Sequence, residues 1–225
     1  MESKFIKKIG IEFEGGWYEE PAHLKSDASV EDIRSCEFQG EVASPKLSPE
    51  AWLDWAKSNY PDEVNSTCGL HVHVSFKNNR AYATLMEPEF YEKFLEFWNA
   101  WGTRKAIIPE TPFWRRLRGD NRFCKKLFRP DEQAALKEKA SLRYCHINYC
   151  HGLHKTVEFR MLPMFKKASL ALDAIADLLD FIENYLASKP RKREILVEEV
   201  AEADLDTPEE LFIDESVSAD RFNFR

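Results

Sequence analysis

The sequence lacks any apolar run near the length of a membrane-spanning helix. Its first residues, Met-Glu-Ser-Lys-Phe-Ile-Lys-Lys, also lack the apolar segment of a secretory signal. The cysteine count is five, an odd number, which indicates free thiols in a reducing compartment rather than a disulfide framework. We therefore expect a cytoplasmic protein that makes no contact with a membrane.

Glycine-rich phosphate-binding loops are missing as well. The chain has eight glycines, and none of them forms a Gly-x-x-x-x-Gly-Lys loop or a Gly-x-Gly-x-x-Gly fingerprint. If a nucleotide binds, metal ions and side chains must neutralise its phosphates, because no glycine cradle is present to do so.

What the sequence does contain is enough apolar material for one domain. Of 225 residues, 44% are hydrophobic and 13% aromatic. The net charge of −7 is unevenly spread, since residues 194–225 carry 11 acidic and 2 basic side chains and the remainder carries 28 acidic and 30 basic ones. We predict one domain over residues 1–190 and an acidic C-terminal extension over residues 191–225.

Residues 67–75 carry the most informative pattern of the chain. Read as a strand, they send Leu70, Val72 and Val74 to one face and His71, His73 and Ser75 to the other. The apolar face can join a core, and the second face holds two imidazoles on one rigid element.

Three further stretches, residues 9–14, 38–42 and 156–161, also alternate apolar residues with charged or polar ones. If all four strands join one sheet, a single face collects many carboxylates, which repel one another unless cations lie among them. We therefore expect a divalent metal, with Mg²⁺ favoured by carboxylates and Mn²⁺ also admitted by imidazole. The gathered residues would be Glu12, Glu14, Glu41, His71, His73, Glu158 and Arg160.

The remaining elements follow from apolar periodicity and from turn and cap residues. Residues 4–14 are a predicted strand closed by a Gly15-Gly16 turn, and Ser48 is expected to cap a helix that has Pro49 at its first position. Further predictions are a strand at 36–43, helices at 88–101, 131–140 and 168–187, and a hairpin of 142–150 with 155–162.

A run of basic residues lies inside a helical, basic segment at 86–141 that we treat as an insertion. A wall for phosphate or an acidic substrate, a nucleic-acid contact and a solvated helix face all remain open for this run. The run consists of Arg115, Arg116, Arg118, Arg122, Lys125, Lys126 and Arg129.

A structural zinc site is a separate possibility, because thiolate and imidazole are zinc ligands. Cys145, Cys150, His151 and His154 are close in sequence, but their spacing does not fit a zinc knuckle. A simple hairpin with a histidine-rich turn is the alternative interpretation.

Four of these segments, in order, resemble the amidoligase family of the glutamine synthetase and glutamate–cysteine ligase superfamily. Gly10-Ile11-Glu12-Phe13-Glu14 resembles its N-terminal Glu-x-Glu strand, and Asp27-Ala28-Ser29 with Glu41-Val42-Ala43-Ser44-Pro45 resembles the next signature. Residues 68–75 are similar to its Gly-x-His-Val-His element, and Thr156-Val157-Glu158-Phe159-Arg160 resembles its closing Glu-x-Arg strand.

The resemblance implies an α+β fold with a curved, mainly antiparallel sheet, helices on one face and an open active-site face. It implies that ATP and Mg²⁺ or Mn²⁺ bind there, that His73, Ser75 and Arg160 lie near the nucleotide, and that Glu12, Glu158 and Arg160 are catalytic. The implied metal ligands are Glu12, Glu14, Glu41, His71 and Glu158.

The implied activity is ATP-dependent ligation of a carboxylate and an amine, from small molecules or peptides, through an acyl phosphate. Two alternatives stay open at this point: a metal-dependent hydrolase that uses His71 and His73 with carboxylates, and a non-catalytic binding or structural protein that retains the fold. We expect no nucleic-acid partner, and the sequence leaves open whether the chain forms an oligomer.

Overall fold

The computed structural model describes residues 3–135, 141–149 and 156–189. Within these residues, six strands form one antiparallel sheet in the order β2-β3-β1-β4-β6-β5. The strands are β1 Ile6–Trp17, β2 Leu24–Lys25, β3 Phe38–Ala43, β4 Leu70–Phe76, β5 Ile147–Asn148 and β6 Val157–Phe159. The class is thus α+β with an open antiparallel sheet, as the sequence predicts at this coarser level.

The described helices are short except for two. They are α1 Trp52–Ser58, α2 Asn79–Leu85, α3 Pro88–Arg104, α4 Pro112–Arg118, α5 Pro130–Ala134 and α6 Ala168–Ser188, with a 3₁₀ turn at Ser141–Arg143. The predictions of helices at 88–101 and 168–187 are confirmed, and α3 continues three residues further than its predicted end. The helix predicted at 131–140 is observed at Pro130–Ala134, and residues 136–140 lie outside the described part of the chain.

The core lies between the apolar face of the sheet and the two long helices. Phe94 of α3 packs against Phe159 of β6 with ring centroids 5.7 Å apart, and Phe90 packs against Phe181 of α6 at the same distance. Ile11 and Val72, from the alternating strands, are fully buried. The apolar half of each alternation therefore anchors its strand, so the opposite half must face away from this core.

The predicted turn at Gly15-Gly16 is wrong, because β1 continues through both glycines to Trp17. Gly15 pairs with Gly40 and Gly16 with Gln39 of β3. A Cβ on Gly15 would lie 2.5 Å from the Pro61 side chain, and one on Gly16 would lie 2.8 Å from Cys36. These glycines permit close packing over the strand rather than a reversal of the chain.

The predicted helix start at Ser48 and Pro49 is also wrong. The Ser48 carbonyl accepts a hydrogen bond from the Ala51 N–H, which forms a turn, and α1 begins only at Trp52. The hairpin of β5 with β6 is antiparallel as predicted, with Ile147 opposite Phe159 and strands shorter than expected. The predicted boundary at residue 190 and the acidic extension 191–225 lie outside the described residues.

None of the described helices is both long enough and apolar enough to cross a membrane.

Candidate metal centre

The strand register aligns the polar positions of four strands on one face of the sheet. Glu12 of β1 lies opposite His71 of β4, and His73 of β4 lies opposite Glu158 of β6. On the other side of β1, Glu14 lies opposite Glu41 of β3. Residues far apart in the chain thus become neighbours because directly opposed residues of antiparallel strands point to the same face.

The His71 imidazole lies between three carboxylates. Its Nδ1 is 3.1 Å from Glu12 Oε2 and 3.7 Å from Glu158 Oε1, and its Nε2 is 3.6 Å from Glu14 Oε1. The ring is buried, with 2% of its surface exposed. Both ring nitrogens therefore face acidic oxygens in a site with little access to solvent.

The second imidazole, that of His73, contacts two of the same carboxylates. Its Nε2 is 3.1 Å from Glu12 Oε1 and 3.9 Å from Glu158 Oε1, while its Nδ1 is 3.4 Å from the Thr156 hydroxyl. Glu12 consequently bridges both histidines through its two oxygens. The predicted His-x-His pair is thus connected by one shared carboxylate.

Glu158 is held by a cation and an amide as well as by the imidazoles. Arg160 Nη1 forms a buried ion pair with Glu158 Oε1, and the Asn148 amide donates to Glu158 Oε2 at 2.7 Å. Arg160 also lies against the Tyr144 ring, 5.5 Å from its centroid. Glu158 and Arg160 thus form one ion pair within the site, with charge-assisted bonds that fix the carboxylate.

These contacts shift the pKa values of His73, Glu158 and Glu12. Burial opposes the shift, but Glu158 and Glu12 raise the pKa of His73 to about 9. Burial likewise opposes the change at Glu158, where Arg160 and then His73 lower the pKa to about 2. Burial also opposes the change at Glu12, whose pKa the hydrogen bonds from His71 and His73 bring well below its usual value.

Glu41 behaves in the opposite way. Burial, followed by the charges of Glu12 and Asp27, raises the pKa of Glu41 from 4.5 to about 7. Unlike Glu158, Glu41 has a carboxylate rather than a guanidinium as its principal charged neighbour. The β3 side of the site therefore has an excess of negative charge, which a bound cation would relieve.

The ligand atoms are close enough together to share ions. Three overlapping groups each have ligand atoms within 4.8 Å of one another. The donors, mostly carboxylate oxygens with imidazole nitrogen, suit Mg²⁺ or Mn²⁺. The groups are Glu12 with Glu41 and His71, Glu12 with His73 and Glu158, and Glu14 with Asp27 and Glu41.

The backbone at Gly69 lies close to the side chains of Glu14 and His71. The Gly69 N–H donates to Glu14 Oε2. A Cβ on Gly69 would lie 2.8 Å from His71 Nε2, 3.1 Å from Glu14 Oε2 and 3.2 Å from Arg116 Nη1. A side chain at this position would therefore collide with the His71 ring and would crowd Glu14 and Arg116.

Ser75 and members of the basic run make other contacts. Ser75, predicted near a nucleotide, contacts the Lys8 carbonyl at 3.4 Å and makes none of the carboxylate–imidazole contacts described above. Most of the basic run is exposed: Arg118 pairs with Glu110 and Asp120, and Arg122 pairs with Glu31. Arg116 is the one member of the run that is buried, and the other six are exposed.

The alternative zinc site cannot be assembled from the described residues. Cys150, His151 and His154 lie outside them, and the buried Cys145 donates its thiol to the Leu142 carbonyl. The four cysteines within the described residues are free thiols: Cys36, Cys68, Cys124 and Cys145.

Three residues near the centre were not assigned a role from the sequence. Asp27 follows the short strand β2, Asn148 lies on β5, and Arg116 lies on α4 within the basic run. Asn148 stands in a predicted strand, but its distance from Glu158 depends on the pairing register. The run of seven basic residues between 115 and 129 gives no sequence signal that one of them is buried beside the carboxylates.

Comparison with known proteins gave no family assignment: no family model matches the chain, and neither curated proteins nor solved structures gave a match.

Proposed function

We propose that this protein is an ATP-dependent carboxylate–amine ligase that forms an amide or peptide bond on a divalent-metal site. The observation that carries the proposal is the convergence of Glu12, Glu158 and both imidazoles within salt-bridge distance on one sheet face. The order of the four amidoligase-like motifs supports the same proposal, and with it a glutamine-synthetase-like form of the α+β fold.

In this proposal the acidic residues hold Mg²⁺ or Mn²⁺, which would neutralise phosphate oxygens and the charge that develops during phosphoryl transfer. The ligand groups of this site fit that role, because they combine several carboxylates with imidazole and leave an excess of negative charge at Glu41. The proposed ligands are Glu12, Glu14, Glu41, His71 and Glu158. We add Asp27, because its carboxylate lies within 4.8 Å of those of Glu14 and Glu41.

Arg160 is proposed to stabilise the phosphoryl group during its transfer. One nitrogen, Nη1, is committed to Glu158, whereas the buried Nε has no hydrogen-bond partner in the described part of the chain. A guanidinium that is fixed by a carboxylate and still has donors to offer is suited to an oxyanion. His73 and Ser75 are proposed to lie near the nucleotide.

The proposed reaction has two steps that this arrangement would serve by positioning and charge neutralisation. A substrate carboxylate oxygen attacks the γ-phosphorus of ATP, the bond to ADP breaks, and an acyl phosphate forms. An amine then attacks the acyl carbon, phosphate leaves, and the amine proton passes to solvent. The products are an amide, ADP and phosphate.

A phosphate-release screen with ATP, Mg²⁺ or Mn²⁺ and paired acid and amine substrates tests the proposal. We expect release to require both substrates, and Glu12→Gln and Glu158→Gln to abolish it while the far-UV circular dichroism spectrum is retained. Glu50→Gln is a matched control, because Glu50 is exposed. Turnover at the wild-type rate in Glu12→Gln or Glu158→Gln would refute the assignment of these residues.

A metal-dependent hydrolase is the second candidate function. The group of Glu12, His73 and Glu158 favours it, since one imidazole with two carboxylates can hold a metal that activates water. Thermal-shift measurements distinguish the candidates. If stabilisation needs ATP together with metal, the ligase is supported. If Zn²⁺ alone gives stabilisation and hydrolysis, the hydrolase is supported. If neither ATP with metal nor Zn²⁺ stabilises the protein, a non-catalytic role is supported.

A further inference from the structure

Arg116 is a buried cation directly behind the candidate metal centre. Only 2% of its surface is exposed, although it belongs to a run of otherwise mostly exposed basic residues. Its Nη1 donates to the Arg160 carbonyl at 3.4 Å, and its Nη2 donates to the Thr67 carbonyl at 3.3 Å. The guanidinium therefore connects the segment that precedes β4 with the residue that follows β6.

The same guanidinium faces the site across Gly69. Arg116 Nη1 lies beside the point at which a Gly69 Cβ would meet Glu14 Oε2 and His71 Nε2. Burial lowers the pKa of Arg116, and the charge of Glu14 partly offsets this effect. The buried Arg116 side chain thus holds the Thr67 carbonyl, two residues before Gly69, and the Gly69 N–H in turn donates to the proposed metal ligand Glu14.

The backbone carbonyl of Arg116 is fixed by the buried His146, which in turn contacts Tyr91. His146 Nε2 is 2.7 Å from the Arg116 carbonyl, and His146 Nδ1 is 3.1 Å from the Tyr91 hydroxyl. A carbonyl can only accept, so Nε2 carries the proton and Nδ1 accepts from Tyr91. Burial lowers the pKa of His146 to about 4, which agrees with a neutral ring.

A series of three side chains thus runs from the helical segment to the metal centre. Tyr91 on α3 stacks on Phe128 with ring centroids 5.2 Å apart, which fixes the start of the series. All three side chains, Tyr91, His146 and Arg116, are buried. Each one orients the next through a hydrogen bond or through the backbone of α4.

We propose that Arg116, fixed through His146 and Tyr91, is a positioning residue that holds Glu14 and His71 in place for metal binding. The proposal rests on the metal site of the proposed function, and it assigns the basic segment a structural link to that site. Partners behind the ligands of a metal commonly change its affinity by about 10- to 100-fold when they are removed.

The test is direct Mn²⁺ binding to the full-length protein, measured from the electron paramagnetic resonance signal of free Mn²⁺ without nucleotide. Arg116→Met removes charge and geometry, and Arg116→Lys keeps the charge but not the planar fork. Arg118→Met is the matched control, since Arg118 lies on the same helix and is exposed. Mn²⁺ retained by a Glu12→Gln/Glu158→Gln double variant is subtracted as background.

We expect both Arg116 variants to bind Mn²⁺ at least about tenfold more weakly than wild type and Arg118→Met to be unchanged. Normal binding by Arg116→Lys with tighter binding by Arg116→Met would show an effect of charge alone and overturn the proposal. Unchanged affinity in both variants would overturn it as well, including when the thermal midpoint falls, because such a residue would only stabilise the fold.

If the Arg116 variants do not fold, Tyr91→Phe and His146→Gln decide the question. We expect each to weaken Mn²⁺ binding by about threefold or more, since a buried hydrogen bond of the series is lost. Wild-type affinity in both would overturn the proposal. Failure of the wild-type protein to bind Mn²⁺ above background would instead overturn the metal site itself.

Discussion

At the scale of single residues, Gly69 is a position where the site tolerates little change. Its N–H donates to Glu14, and a methyl group there would lie 2.8 Å from His71 Nε2. We predict that Gly69→Ala displaces both side chains and weakens Mn²⁺ binding by about tenfold, as the loss of a supporting partner commonly does. Isothermal titration calorimetry with Mn²⁺ measures the change.

Ser66→Ala is the control for this substitution, because Ser66 is exposed in the same segment. We expect the control to bind Mn²⁺ as wild type does. Equal affinity in Gly69→Ala would show that Glu14 and His71 do not need this backbone approach, contrary to the site described above.

Glu41 gives a second prediction at this scale, which concerns pH. Its pKa is about 7 in the folded protein against 4.5 for an unperturbed group, so the folded state retains the proton longer as pH rises. The stability it contributes is therefore present below pH 4.5 and is lost as pH rises through 7. For the metal-free protein in EDTA, we predict a loss of about 2 kcal/mol between pH 5 and 7.5, with solvent screening taken into account.

Urea unfolding of wild type, Glu41→Gln and the exposed control Glu37→Gln checks this prediction. Glutamine is neutral at every pH, so the Glu41→Gln curve should lose most of its slope in this window. The Glu37→Gln curve should follow wild type. Parallel curves for all three proteins would mean that Glu41 titrates as an ordinary surface carboxylate.

At the scale of elements, the sequence predicts the alternating strands well, and it fails where three-dimensional proximity decides. The alternation of residues 70–76 identifies β4, because an apolar face must enter the core whatever the neighbouring strands are. Whether the chain turns or continues at Gly15-Gly16 cannot be predicted from the sequence. Two glycines suit a turn, and they equally suit a strand that Pro61 approaches closely. The burial of Arg116 cannot be predicted either, because it depends on tertiary contacts that the sequence does not show.

A carboxylate on the last described helix binds the start of the first strand and the residues before it. Glu183 on α6 accepts hydrogen bonds from the backbone N–H groups of Lys4, Phe5 and Ile6 and from the Ser3 hydroxyl. Burial opposes the shift, but these bonds lower the pKa of Glu183. We predict that Glu183→Ala lowers the free energy of unfolding by about 2 kcal/mol at pH 7, as loss of bonds to a charged acceptor does.

Chemical denaturation against Asp180→Asn, an exposed position on the same helix, checks this contribution. Because the folded pKa is lowered, the stabilising effect is present above the ordinary glutamate pKa and is lost as pH falls below it. The difference between wild type and Glu183→Ala should therefore shrink toward pH 3. A difference that is constant from pH 7 to 3 would contradict the role of the ionised carboxylate.

At the scale of the whole molecule, the fold brings like charges together and balances only part of them. Glu158 has Arg160 as its partner, whereas Glu41 lies among other carboxylates. Hydrophobic burial along the opposite face of the sheet offsets the remaining repulsion, because Ile11, Val72 and their neighbours anchor the same strands. A bound divalent cation would convert this repulsion into stability of the folded state.

The pH dependence of metal stabilisation follows from the same arrangement. A metal ion competes with protons on its ligands and near neighbours, and the pKa values of Glu41 and His73 are about 7 and about 9. Protons must therefore leave these groups when Mn²⁺ binds near neutral pH, and binding becomes more favourable as pH rises. We predict that Mn²⁺ binds at least about tenfold more tightly at pH 8 than at pH 6, which is about 1.4 kcal/mol of added stability at high Mn²⁺ concentration.

Paired unfolding curves in EDTA and in excess Mn²⁺ measure this gap at each pH. In EDTA the stability of wild type falls from pH 6 to 8, since the raised pKa values of Glu41 and His73 favour the protonated folded state. In excess Mn²⁺ the stability of wild type should fall less from pH 6 to 8, or should rise. The stability of Glu12→Gln should change with pH in the same way in Mn²⁺ as in EDTA. A gap of the same size at pH 6 and pH 8 would mean that the cation binds without displacing protons from this centre, and the carboxylate–imidazole face would then not be its binding site.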